Sequence, residues 1–252
     1  MYTALILPDI HYPYHDKQCL KIVEQVAKDL NPEYLVYLGD AINADGISKY
    51  THKKMEKGII ETSEEIDGFV TDIHNVLSPL INGQIYYTGG NHCTERISNL
   101  LSKLEQKDEE PKVIAFYKEL LSMENKMKDV KFCRWNESIK IGKLHFTHGT
   151  YHNDAHAKKH ALAYGSSVVY GHLHTVSSHT VTSRGSGQSH RATSLGCLCN
   201  LNQGYLQNRP TGWSQGFGVA YFQDNGDFNL YPVDIIKGKC IFNGKLYTNA
   251  KQ

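Results

Sequence analysis

The sequence lacks any apolar run approaching the roughly 20 residues of a membrane-spanning helix, so a helical membrane protein is excluded. It also lacks net charge of either sign. Its 27 Lys and Arg offset 26 Asp and Glu, leaving a formal +1 and a pI near 7.7. Without a global basic field, tight salt-sensitive wrapping of duplex DNA is disfavoured, although a local basic groove stays open. Its six cysteines have no regular disulfide spacing, in a chain too large to need bridges. Reduced thiols in a cytosolic setting are expected. Cys197-x-Cys199 lacks the two-residue spacer and second pair of a zinc knuckle and is read as strand. The first nine residues have neither a basic n-region nor a long apolar h-region, so no signal peptide is expected. Solenoid repeats and a Pro/Gly-rich linker are absent too, and the 252 residues are expected to form one domain spanning 1–252.

What is present is histidine, 14 residues of it, the commonest metal ligand and proton carrier among side chains. The first half alternates strand and helix. Residues 3–7, 34–38 and 85–88 are short apolar runs ending in polar or glycine punctuation, as buried strands do. Between them, residues 17–30 carry Leu20, Ile22, Val23, Val26 and Leu30 at helical spacing, stopped by Asn31-Pro32. Thr62-Ser63-Glu64-Glu65 has the form of a capping box, with Ile66, Phe69, Ile73 and Val76 continuing a helical face. Residues 94–127 read as charged helices, the second starting at Pro111. This alternation predicts parallel strands. The second half changes to hairpins: residues 138–146 around Gly142, and Asn-Gly turns at 225–226 and 243–244. Two mixed β-sheets flanked by helices fit this order.

Ligand-type residues fall at the carboxyl ends of the apolar runs, where α/β sheets collect their ligands. They are Asp9 and His11, Asp40 after Gly39, Asn91 after Gly90, His148 before Gly149, and His172 and His174 after Gly171. Carboxylate, imidazole and amide donors together suit borderline divalent ions. Two such ions roughly 3.5–4 Å apart can share a carboxylate, generate a nucleophile from water and neutralise phosphate oxygens. Asp40, the central carboxylate, is the natural bridge. Asn91 is a neutral ligand and preserves positive charge for an anionic substrate. His92 is a polar group that the ions do not need. It is placed to give a proton to a leaving alkoxide or to hold a phosphate oxygen.

In order, Asp9-x-His11, Gly39-Asp40, Gly90-Asn91-His92, His148 and Gly171-His172-x-His174 resemble the five motifs of calcineurin-like metallophosphoesterases. The resemblance spans residues 9–174. It implies a four-layer α/β/β/α sandwich with a dinuclear centre at one edge. Asp9, His11, Asp40 and His174 would hold one ion; Asp40, Asn91, His148 and His172 would hold the other. Mn²⁺ is the implied metal, and Fe, Zn, Ni or Co suit the same donors. Cys93 stands where an acidic residue often follows the Gly-Asn-His motif, and Asn43 where a second Asp often follows Gly-Asp. Beyond residue 174, Gly196-Cys197-Leu198 and the segment 212–218 are similar to small phage and bacterial members. That likeness implies a cytoplasmic setting, a nucleotide or nucleic-acid end as phosphoester substrate, and nothing about oligomeric state.

Four residues are candidates for touching substrate. Arg96 follows Asn91 by five positions and can reach phosphate, or form a surface ion pair. Tyr14 follows the first motif. His152 belongs to a His152/His156/His160 series at helical spacing, read as an exposed polar face. Trp213 can stack a base or pack the C-terminal sheet. A serine/threonine protein phosphatase is the runner-up; no Arg follows Gly39-Asp40 closely, which counts against it. A non-catalytic scaffold of the same superfamily is the third reading, and it is disfavoured by the complete ligand set with His92.

Overall fold

A computed structural model of the protein describes residues 1–50, 54–203 and 211–249. The first apolar run forms β1 (Tyr2–Leu7), buried from Thr3 onward. Continuous burial means both faces of this strand are covered, which explains its missing polar alternation. Lys17–Leu30 (α1) follows, capped by Asp16, whose carboxylate accepts from the Gln18 and Cys19 amides. Next come β2 (Tyr34–Tyr37), α2 (Met55–Phe69), a π turn at Val70–His74, the single turn α3 (Asn75–Leu77) and β3 (Gln84–Thr88). A second π turn, Asn91–Glu95, leads into α4 (Arg96–Gln106), α5 (Pro111–Leu120), α6 (Met123–Lys126) and β4 (Val130–Cys133). The four strands pair in parallel, as the alternation predicts.

The second half supplies β5 (Ile139–Ile141), β6 (Leu144–Thr147), α7 (His156–Tyr164), β7 (Ser167–Tyr170), β8 (Ser177–Thr182) and β9 (Ser189–Ser194). The chain ends with β10 (Gln215–Phe222), β11 (Phe228–Ile235) and the hairpin β12 (Lys239–Phe242) with β13 (Lys245–Thr248). One sheet has the order β11-β10-β1-β2-β3-β4 and the other β5-β6-β7-β9-β8. Asn243 and Gly244 both take positive φ, 49° and 74°, the turn geometry that an Asn-Gly hairpin requires.

Strand periodicity sorts the layers. Ala4, Ile6, Val36 and Leu38 face Leu144, Phe146 and Val169 of the other sheet. Their sequence neighbours Leu5, Leu7, Leu35 and Tyr37 face Ile22 and Val26 of α1 and Ile66 and Phe69 of α2. Ala161 of α7 packs on the outer face of the second sheet, against Val168, Tyr170 and Ala192. Each large apolar side chain contributes roughly 1.5–3 kcal/mol on burial, so slipping one strand by a residue would exchange two filled layers at once. The result is a four-layer α/β/β/α sandwich of two mixed sheets flanked by helices. Among the described residues no helix is long and apolar enough to cross a membrane.

Three local expectations are corrected. The apparent capping box is not a helix start, because α2 begins at Met55 and runs through it. The Thr62 hydroxyl instead donates to the Gly58 carbonyl one turn back, an alternative open to any buried helical Thr. Cys197 and Cys199 are not in a regular strand. They make isolated bridges to Gln215 and His15. The His152/His156/His160 series is not an exposed face: His156 and His160 are 6% and 1% exposed. His156 Nδ1 pairs with the Tyr170 hydroxyl at 2.7 Å, and His160 stacks on the same ring.

Candidate metal centre

Five strand ends meet at one rim, and the backbone there is unusual. Asp9, His11, Asp40, His172 and His174 all adopt left-handed φ, between 41° and 75°. That region costs a residue with a β-carbon about 1–2 kcal/mol. Such strain persists only where surroundings over-determine it, and it concentrates at functional sites. Here it turns side chains off the strand ends and toward one another. Gly90 and Gly171 make room for them. A β-carbon on Gly90 would strike the Asp40 carboxylate, and one on Gly171 the Asp9 carboxylate.

Two clusters result. In the first, His11 Nε2 lies 3.1 Å from His174 Nε2, which lies 3.3 Å from Asp9 Oδ1. In the second, His148 Nε2 lies 3.0 Å from Asn91 Oδ1 and 3.2 Å from His172 Nδ1, itself 3.0 Å from Asn91 Oδ1. Asp40 Oδ2 belongs to both, 3.1 Å from His148 Nε2 and 3.9 Å from His11 Nε2. Asp9, His11, Asp40, His148 and His174 are all buried; Asn91 and His172 are half-buried.

The far ring nitrogens are committed elsewhere. His11 Nδ1–H donates to Asn43 Oδ1 at 2.9 Å and His148 Nδ1–H to the Leu38 carbonyl at 2.7 Å. His174 Nδ1–H donates to Cys199 Sγ at 4.0 Å. In these tautomers the Nε2 lone pairs of His11, His148 and His174 point at carboxylates, at an amide oxygen and at one another. Acceptors crowded onto acceptors need positive charge between them. Protons are one source: burial opposes the charged ring, yet Asp9 outweighs it and lifts His174 to about 10. Asp40 likewise lifts His148 to about 9. Burial, with the neighbouring rings adding to it, pushes His11 down to about 3 and His172 down to about 4. The nitrogen, carboxylate and amide oxygens of each cluster thus fit a borderline divalent ion, displacing those two protons.

His92 stands beside the first cluster, its ring 4.7 Å from that of His11, with both ring nitrogens hydrogen-bonded to other groups. Its amide donates to Asp40 Oδ1 at 2.8 Å, and its Nδ1–H to the Asn43 carbonyl at 3.0 Å. Arg96 donates to His92 Nε2 at 3.2 Å and to the Asn43 carbonyl at 2.6 Å. Burial lowers the His92 pKa; Arg96 acts with it and Asp40 against it. Cys93 accepts from the Tyr87 hydroxyl at 2.9 Å and the Gly90 amide at 3.3 Å, with its thiol 4.0 Å from Asp40 Oδ1. It therefore buttresses the carboxylate shared by both clusters.

The other candidates divide. Arg96 joins the site through His92. Trp213 joins it as well, its ring 4.2 Å from that of His174, and is not core packing. Tyr14 sits at the rim, its amide bonded to the His11 carbonyl at 2.6 Å and its side chain 41% exposed. His152 is exposed and is not brought to the cluster. Sequence reading passed over Trp135, whose ring stands 5.5 Å from His148 and 6.4 Å from His172. It follows β4 without any motif to mark it. It also passed over Cys199, because a Cys-x-Cys pair gives no hint of an imidazole 25 residues away.

No protein-family model and no curated protein matches the sequence. Among solved structures, the chain is similar to Vps29 of Chaetomium thermophilum, at 9% identity and a TM-score of 0.46, over 99% of this chain and 100% of that one. It is similar to YfcE, a phosphoesterase from E. coli, at 14% identity and a TM-score of 0.35, over 91% of this chain and 98% of that one. It is similar to TT1561 of Thermus thermophilus, at 10% identity and a TM-score of 0.37, over 92% and 98% of the two chains.

Proposed function

We propose that this chain is a dinuclear metal-dependent phosphoesterase of the calcineurin-like superfamily, cleaving phosphomonoester or phosphodiester bonds of nucleotides or nucleic-acid ends. The observation that carries this is the pair of carboxylate, imidazole and amide clusters with one carboxylate oxygen of Asp40 facing both. Asp9, His11, Asp40 and His174 would hold one ion, and Asp40, Asn91, His148 and His172 the other. When bound, a pair of divalent ions supplies Lewis acidity and a water nucleophile at neutral pH. Mn²⁺ is the favoured metal; Fe, Co, Ni and Zn accept the same donors.

The protein's own groups do the rest. Asn43, Leu38 and Cys199 hold three imidazoles in the tautomers that face inward, so little reorganisation accompanies binding. His92 and Arg96 form the second half of the site. A phosphoryl group arriving there meets the guanidinium and the ring together. Its oxygens draw the Arg96 guanidinium off His92 Nε2, and the negative charge then favours a proton on that nitrogen, where the leaving oxygen needs one. Arg96 stabilises charge on the phosphoryl oxygens as that oxygen departs.

The test is metal analysis combined with hydrolysis of p-nitrophenyl phosphate and bis-p-nitrophenyl phosphate. About two ions per chain and metal-dependent cleavage of at least one substrate are expected. Two bound ions with no cleavage of either substrate would favour a non-catalytic binding protein.

A further inference from the structure

His92 takes its orientation from one peptide group. Its Nδ1–H donates to the Asn43 carbonyl at 3.0 Å, and the Arg96 guanidinium donates to the same oxygen at 2.6 Å. That carbonyl and the Ala44 N–H belong to one planar unit. The Ala44 N–H donates to Glu65 Oε2 at 2.6 Å. A line of hydrogen bonds therefore runs from the Glu65 carboxyl, through the 43–44 peptide, to the His92 ring. Hydrogen bonds in such a line polarise one another, so an amide whose N–H is taken presents a more negative carbonyl oxygen.

The surrounding fold holds Glu65 to that peptide. Ala44 adopts a left-handed φ of 51°, a strained conformation for a residue with a β-carbon, and its methyl group has no polar atom to secure it. Gly58 and Glu65 lie seven residues apart in α2 and share one face of it. Gly58 meets Gly46 backbone to backbone, where a β-carbon on either would strike the carbonyl oxygen of the other. This contact seats α2 on the loop that carries Ala44. The Asn43 side chain is engaged elsewhere, its Oδ1 accepting from His11, so the ring of His92 depends on the Asn43 backbone.

On the reading that the centre cleaves phosphoesters with His92 as proton donor, we infer that Glu65 is a positioning residue for that histidine, acting through the 43–44 peptide. It keeps the Asn43 carbonyl facing His92 Nδ1–H and accepting strongly from it, which leaves Nε2 for the substrate. As the ester P–O bond breaks, the Nε2 proton passes to the leaving oxygen, and the Nδ1 proton stays in its bond to the carbonyl.

The experiment compares phenyl phosphate with p-nitrophenyl phosphate, or diphenyl phosphate with bis-p-nitrophenyl phosphate if the protein prefers diesters. Phenoxide is basic and needs a proton as it leaves; p-nitrophenoxide leaves without one. The ratio of the two kcat values therefore isolates proton delivery. Glu65→Met removes the acceptor at similar size. In the metal-loaded variant, kcat for the phenyl ester should fall roughly 5- to 150-fold relative to the nitrophenyl ester, the span of one orphaned buried donor, with metal content still near two ions. Glu65→Gln keeps an acceptor and should keep the parental ratio. In a His92→Ala background, Glu65→Met should move the ratio by less than about twofold, because the two residues act in one network. An unchanged ratio in Glu65→Met, both esters slowed in parallel, loss of metal, or the same change with and without His92 would overturn the inference. Proton–nitrogen correlation spectra of the zinc-loaded proteins need no cleavage. His92 should carry its proton on Nδ1 in the parent and in Glu65→Gln, and shift it toward Nε2 in Glu65→Met. Cleavage of neither ester would end the phosphoesterase reading, and the spectra would then decide the hydrogen-bonded line alone. One tautomer in all three proteins would sink it. A proton on Nε2 in the parent would sink it too, even if Glu65→Met failed to fold.

Discussion

Replacing Asn43 with Ala removes the group that sets the His11 tautomer and leaves the donor atoms themselves in place. Asn43 Oδ1 accepts the His11 Nδ1–H at 2.9 Å, and both residues are 3% exposed. With the acceptor gone, a buried N–H loses its partner at a cost of about 1–3 kcal/mol. Alternatively the ring shifts its proton to Nε2, where a metal lone pair is required. At about 1.4 kcal/mol per factor of ten, binding in the His11–His174 cluster should weaken roughly 5- to 150-fold. That agrees with the roughly 10–100-fold effect of removing partners of metal-bound imidazoles. His148 of the other cluster is held independently, by the Leu38 carbonyl, so the other ion should keep its affinity. Chelator-competition titration with Mn²⁺, resolving the two sites, reads this directly, with circular dichroism confirming the fold. Asn43→Asp retains an acceptor and should restore tight binding. Unchanged affinity at both sites in Asn43→Ala would refute the tautomer argument. An equal loss at both sites would refute its assignment to one cluster.

Three further outcomes are expected. His92→Ala should lower kcat by roughly 10²–10⁴, the usual scale of general acid–base help, with metal content still near two ions; a variant emptied of metal would make His92 a ligand. Asp40→Asn should weaken both sites together, since Asp40 Oδ2 faces His148 and His11 alike; one ion fully retained in metal analysis would count against a shared carboxylate. Glu65 offers a pH test: burial raises its carboxyl from 4.5 to about 7, against the Ala44 amide that donates to it at 2.6 Å. A folded pKa above the unfolded one means stability present below about 4.5 and lost as pH rises through about 7. Glu65→Gln should therefore melt higher than the parent at pH 8 by up to about 3 kcal/mol of stability, and show no such gain at pH 4; equal differences at both pH values would refute the burial account.

Much of this fold was legible because burial and periodicity are local. Residues 3–7 and 34–38 read as strands because both faces of each are covered, and Asn243-Gly244 reads as a turn because few residue pairs accept positive φ twice. Thr62-Ser63-Glu64-Glu65 misled because a cap depends on where the helix starts, which its own four residues do not contain. The His156 and His160 side chains misled for a related reason. Helical spacing names the shared face, but only the position of α7 over Tyr170 decides that it points inward.

The sequence by itself determined the chemistry available: which carboxylates, imidazoles and amide follow which strand, and that Asp40 is central among them. Those facts follow from residue type and from strand ends lining one rim, both written in the chain. The tertiary structure alone decided which nitrogen of each imidazole faces inward. That choice rests on acceptors remote in sequence: Asn43 for His11, the Leu38 carbonyl for His148, Cys199 for His174. It also placed Trp135 and Trp213 at the two halves of one site. Trp135 follows β4 and Trp213 precedes β10, both in the six-stranded sheet, and these side chains, 78 positions apart, meet one centre because the second sheet brings His148, His172 and His174 to its edge.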